Sequence, residues 1–166
     1  MKLTIFDLTF DIEGYYIKRE SIVEKITVNT RTLYSRFEAM SGIPSEELIK
    51  LHLKGEVVLA LPLVNNDCVP YIVLEYEREE SNRYYHLIKH LLKSIGIETF
   101  YTYQSSRVNH VQIFIPRLNL PLQQAYTEVE KIKHLLELKS TKRCKFYPDK
   151  NLPKNYNKIT LPLKKM

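Results

Sequence analysis

Along the first ten residues apolar and polar side chains alternate, with Leu3, Ile5, Leu8 and Phe10 on apolar sides and Gly14 as the next breaker. Period-two alternation marks a half-buried strand, so a strand or hairpin is expected to open the fold. Arg31 to Met40 is mixed in pattern, free of breakers, and ended by Ser41-Gly42. Pro44-Ser45-Glu46-Glu47 then reads as a capped entry into a short helix through Leu53, and two short helices are expected across this stretch. The runs Val57 to Leu61 and Tyr71 to Leu74 are bounded by Gly55, Pro62, Asn65-Asn66-Asp67 and Pro70. Such boundaries predict buried strands joined by a turn.

Further on, Tyr84, Tyr85, Leu87, Ile88, Leu91, Leu92 and Ile95 repeat at helical spacing, with Ser81 able to cap and Gly96 to stop. This predicts a helix from Ser81 to about Ser94. Gln123 to Leu138 predicts a second amphipathic helix, its stripe formed by Ala125, Val129, Ile132, Leu135 and Leu136. Between them, Thr99 to Tyr103 and Val111 to Ile115 are β-branched and aromatic, and predict strands flanking a polar loop from Gln104 to Asn109. Strands near Cys144 to Tyr147 and Lys158 to Leu163 finish the order, which predicts an α/β fold, an α+β mixed sheet covered by helices. With 166 residues and 44% hydrophobic content, a single domain spanning 1–166 is expected.

Charge changes this picture at one end. The net charge is +6, yet Lys139 to Met166 carries nine basic residues against the single acid Asp149, a local balance of +8, so the rest sums to −2. Phe146, Tyr147, Tyr156, Ile159, Leu161 and Leu163 interleave with those cations, which predicts a folded basic face suited to polyanionic partners. No run approaches the roughly 20 apolar residues of a membrane span, and the acid-bearing start is unlike a signal peptide, so a cytoplasmic protein without membrane contact is expected. Cys68 and Cys144 lack the paired spacing of a zinc or iron-sulfur site, and neither metal is expected.

Two clusters could carry chemistry. Glu75 and Glu77 follow the apolar run Tyr71 to Leu74, and strand alternation sends both carboxylates to one face, as a magnesium site would require and as an acidic strand end facing water would also produce. Ser105-Ser106-Arg107-Val108-Asn109-His110 brings hydroxyls, a forked cation and an imidazole to the mouth of a strand, groups that bind phosphate oxygens but that a plain hairpin turn could equally contain. His86 and His90 lie one helical turn apart without an identifiable third ligand, and read as helix surface.

In their order along the chain these pieces resemble archaeo-eukaryotic primases. Residues 48–55 (LIKLHLKG), 58–63 (VLALPL) and 73–77 (VLEYE) are similar to the family's helix, glycine and "PL" strand ahead of a strand ending in two catalytic acids. Residues 105–110 (SSRVNH) resemble its Ser-Gly-Arg-Gly-x-His phosphate loop, with Ser106 and Val108 in place of the glycines. Residues 146–154 (FYPDKNLPK) and 157–163 (NKITLPL) resemble its closing segment, although Arg143-Cys144-Lys145-Phe146 lacks the acid found there in many relatives.

The resemblance implies a primase-like core with an RRM-like sheet flanked by helices over 48–163, preceded by a strand and helix part over 1–47. It implies Glu75 and Glu77 as catalytic and metal residues holding Mg2+ or Mn2+ weakly, and Ser105, Ser106, Arg107, His110, Asn157 and Lys158 as nucleotide-binding residues. With two carboxylates rather than three, a two-ion centre is short of ligands. The implied role is that of a non-catalytic accessory subunit, as in Sulfolobus-type archaeal primases, binding nucleoside triphosphate and DNA or RNA template-primer beside primase catalytic and large subunits. The alternatives are an active small primase-polymerase of a plasmid, virus or archaeon, with Asp149 as a distant third acid, and a domain that keeps only the fold and binds nucleic acid or a protein through its basic end.

Overall fold

A computed structural model describes residues 1–166. The opening alternation becomes a tight hairpin of β1 (Lys2–Ile5) and β2 (Leu8–Asp11), joined through Phe6 at φ 53°. Next come β3 (Gly14–Lys18), β4 (Glu24–Val28), β5 (Arg31–Ser35), β6 (Phe37–Ser41), the helix α1 (Glu46–Leu53) and β7 (Leu59–Pro62). The second half runs β8 (Cys68–Glu77), α2 (Arg83–Ser94), β9 (Tyr101–Ser105), β10 (His110–Pro121), α3 (Leu122–Glu137) and β11 (Cys144–Tyr147). A 3-10 turn (Lys154–Tyr156), β12 (Lys158–Thr160) and β13 (Pro162–Lys165) complete it. The protein is therefore a mixed α/β structure rich in strands, with three α-helices. No helix is long and apolar enough to cross a membrane.

The main sheet has the order β11-β8-β10-β9-β13, and every neighbouring pair in it is antiparallel. β8 and β9 thus run parallel with β10 between them, as β10 and β11 do with β8 between them, and a helix makes each crossover. This is the split βαβ arrangement, which stacks both helices on one face of the sheet. There Ile72, Leu74, Ile113 and Ile115 pack against Ile88 and Leu92 of α2 and Val129 and Ile132 of α3. The opposite face carries a second core, in which Tyr71, Val73, Tyr103 and Phe114 meet the β1–β2 hairpin and Leu59, Leu61 and Ile159. α2 and α3 therefore lie over one face, where the sequence predicts a sheet covered by helices. The other is closed mainly by strands, including the sheet β12-β7-β3-β6, with Leu48 and Ile49 of α1 and Leu122 and Ala125 at the start of α3 joining that core.

The helix expected between Arg31 and Met40 is absent, and β5 and β6 occupy that stretch. β4 and β5 form a separate two-stranded ribbon exposed along most of both faces, so no buried stripe imposes a readable period on the sequence. Ser45 caps α1 as expected, its hydroxyl accepting the Leu48 amide at 3.2 Å. α2 starts two residues after Ser81. Asn82 at φ 54° turns the chain in, and the Glu79 carboxylate accepts the Tyr84 amide at 2.9 Å.

Two local devices fix how the strands are aligned. His52 is fully buried, and its Nδ1 accepts the Leu59 amide at 3.1 Å, so the proton sits on Nε2 and points to the Leu161 and Pro162 carbonyls at 3.0 and 3.3 Å. This ring joins α1 to β7 and to the closing strands, and burial lowers its pKa. At the far edge, β3 and β6 approach so closely at Gly14 that a Cβ there would lie 2.8 Å from the Met40 carbonyl oxygen.

Candidate functional site

Cross-strand register builds the candidate site. Glu75 lies opposite Gln112 on one side and Lys145 on the other, while Glu77 lies opposite His110 one row further out. Partners in register share a sheet face, and residues two apart along a strand share it too. Glu75, Glu77, His110, Gln112, Lys145 and Ser105 therefore all rise from the face that carries Tyr71, Val73 and Phe114 lower down. One face is apolar over most of its length and ionic at the end where β8 stops and β10 begins.

The contacts there are close. Ser105 Oγ donates to Glu75 Oε1 at 3.0 Å and accepts the Arg107 amide at 3.1 Å. His110 Nδ1 stands 3.7 Å from Glu75 Oε2, too far for a hydrogen bond, and is buried without another partner. Burial lowers the His110 pKa and nearby Arg107 lowers it further, against the opposing pull of Glu75 and Glu77. Glu75 is 9% exposed, whereas Glu77 is open to water. The turn itself is closed by the His110 amide on the Arg107 carbonyl at 3.1 Å, and the left-handed residue is Asn109 at φ 59°. Asparagine tolerates that region and valine does not, so Val108 in place of a glycine leaves the turn unstrained.

These side chains open into a cleft of about 860 Å³ between the sheet end and the loop before β11. Arg107, Lys142, Arg143 and Lys145 line it together with Glu75, Glu77 and Glu137. Tyr147 lies within electrostatic reach of the same group: burial pushes its phenol up to about 12, Glu75 and Asp149 add to the rise, and Arg107 opposes it.

The structure thus brings Glu75, Glu77, Ser105, Arg107 and His110 together, with Ser106 half-buried beside them. It places the other two predicted residues elsewhere. Asn157 is fully buried and spent internally: its Oδ1 accepts the Asp149 amide at 2.7 Å, and its Nδ2 reaches the Asp149 and Pro153 carbonyls at 3.3 Å. Lys158 lies in a neighbouring hollow between the rings of Tyr16 and Tyr156.

Gln112 and Tyr147 share the face of the site without lining the cleft: Gln112 Nε2 donates to the Thr160 carbonyl and hydroxyl at 3.0 and 3.1 Å, and Tyr147 lines the neighbouring hollows. Gln112 stands two residues along its strand from His110, and Tyr147 two from Lys145, and that parity is the one signal of their placement in the sequence.

The family described as "Domain of unknown function (DUF1882)" matches residues 1–69. The matched segment runs from β1 to the start of β8 and stops short of every residue lining the cleft. Among curated proteins none matches the chain.

No group of three or more His, Cys, Asp and Glu side chains converges in a metal-holding arrangement. Glu75 already receives the Ser105 hydroxyl, and a lysine faces it from β11. Two magnesium or manganese ions held about 4 Å apart need more carboxylates than this, so the donor set does not fit a two-ion centre. What the arrangement can do is bind an anion: the forked Arg107 guanidinium, the charged groups of Lys142, Arg143 and Lys145 along the same cleft, and an imidazole whose ring can gain a proton beside Glu75.

Proposed function

We propose that this protein is a primase-related, non-catalytic nucleotide-binding component of a DNA replication assembly, taking nucleoside triphosphate in the Glu75–Ser105–His110 cleft. Its partners on this reading are DNA or RNA template-primer and the catalytic and large subunits of a primase. The observation that carries the reading is the hydrogen-bonded union of the acidic strand end with the Ser-Arg-His turn across β8, β10 and β9. The order β8-α2-β9-β10-α3-β11 supports it, because an RRM-like sheet of this topology is what the primase resemblance implies. Arg107 and Lys145 supply the charge for the phosphate chain, and His110, whose pKa is lowered by burial and by Arg107, supplies a ring N–H that can donate to a phosphate oxygen. The lysine opposite Glu75 supports the non-catalytic role. A cation there attracts a triphosphate as a metal would, but it cannot draw the proton from a 3′ hydroxyl.

Titration of ATP and dATP into the wild type and His110→Ala, each with and without EDTA, tests this. Binding that persists in EDTA and weakens at least about tenfold without the imidazole is the expected result. Absence of binding to the wild type overturns the proposal. Primer synthesis by the purified protein, lost in Glu75→Ala, would establish the catalytic alternative instead.

A further inference from the structure

A second basic feature lies away from the cleft, where the β4–β5 ribbon meets the loop before β12. We propose that this groove binds single-stranded nucleic acid, by stacking bases on Tyr34 and Phe37 and drawing the phosphate backbone along Lys18, Arg36 and Lys158. The hollow measures about 560 Å³, and Tyr147 and Tyr156 line its inner wall. No acidic residue lines it or the adjoining hollow in which Arg31 and Lys150 continue the run of cations, although Glu24 lies within electrostatic reach of Lys158 and Lys150 pairs with Glu130 at 3.5 Å. The two hollows share Leu152, so five cations lie along one track.

Three observations point to a ligand rather than a solvated surface. Tyr34 is 58% exposed on the rim, with the Lys25 ammonium 5.9 Å from its ring centre, and the salt bridges of the chain leave Lys18 and Arg36 beside it unpaired. Lys158 is held in place: its Nζ lies 4.6 Å from the Tyr16 ring centre and 4.5 Å from that of Tyr156, and donates to Ser35 Oγ at 3.3 Å. A half-buried cation fixed between two rings keeps its charge at one point of the groove instead of sweeping through water. The Tyr156 hydroxyl is buried there without any hydrogen-bond partner. Aromatic faces between cations match a strand whose bases are free to stack, whereas a duplex hides its base faces and an acidic peptide has none. No residue of this groove lines the cleft, so single-strand binding here and triphosphate binding there are tested by different substitutions.

Fluorescence anisotropy with a labelled oligo(dT) and the same strand in a duplex tests it, on the full chain. Expected are binding of the single strand in preference to duplex and a log–log salt slope near −2, from three phosphate contacts at about −0.7 each. Tyr34→Ala and Arg36→Gln are each expected to weaken binding about tenfold while leaving ATP titration unchanged. Both side chains are exposed, so both variants should fold, and circular dichroism checks that they do. No oligonucleotide binding, equal affinity for duplex, full affinity when Tyr34→Ala and Arg36→Gln are combined, or equal competition by poly-glutamate would each overturn the proposal.

Discussion

Ser105 holds a hydroxyl hydrogen on a carboxylate that is nearly sealed from water, and the energetics of the cleft start there. Removing the hydroxyl in Ser105→Ala leaves Glu75 Oε1 without its donor, a loss of about 1–3 kcal/mol. The expected signature is a lower urea midpoint with an unchanged slope. His52 carries the clearest pH dependence. Its folded-state pKa lies below the ordinary 6.5, so beneath that pH the unfolded chain binds a proton that the folded ring refuses. Stability is therefore complete above about pH 6.5 and is lost as pH falls through the depressed value. His110 shifts in the same direction and adds to the loss. Urea unfolding between about pH 5 and pH 8 should show this slope, and His52→Gln should flatten part of it while lowering stability throughout.

Among the elements, the β1–β2 hairpin is tied to the main sheet by two tyrosine hydroxyls. Tyr71 Oη accepts the Thr9 amide at 2.9 Å, and Tyr103 Oη donates to Asp7 Oδ2 at 3.0 Å while accepting the Asp7 amide at 3.3 Å. Tyr103→Phe should cost about 1 kcal/mol, and amide exchange should accelerate in the hairpin more than in α2 or α3. Those two helices are legible in the sequence because each buries a stripe at a 3.6-residue period under one sheet face. β10 is legible only at its start, since beyond Ile115 its side chains are part-buried or exposed without alternation and the strand bulges between Pro116 and Leu120. At the candidate site, parity along one strand places Glu75 with Glu77, but no local pattern encodes which strand lies opposite. Glu75 meeting Gln112 and Lys145 is set by strand order, a long-range property. Asn157 shows the converse: the primase resemblance implies that it faces a nucleotide, yet its side chain is buried and bonded to Asp149 and Pro153 of the preceding loop.

Across the whole molecule, two cores share one sheet, and neighbouring residues of β10 serve opposite ones. Phe114 meets Tyr71 and Tyr103 edge-on at 5.7 Å under the hairpin, while Ile113 points to the helices. Phe114→Ala should cost about 3–5 kcal/mol and Ile113→Ala about 2–5 kcal/mol. Because a common strand couples the layers, circular dichroism and tyrosine fluorescence should report a single coincident transition in both variants, and divergent midpoints would show the layers to melt apart.

The tight crossing at residue 14 reaches further than its size implies. A methyl there would wedge β6 away from β3, and β6 leads within four residues into the helix whose imidazole fastens the last strands. In Gly14→Ala the displacement should travel along that route, loosening the C-terminal end of the chain while the helices behind the main sheet stay put. A vacancy the width of one hydrogen atom thereby sets the alignment of the two ends of the polypeptide.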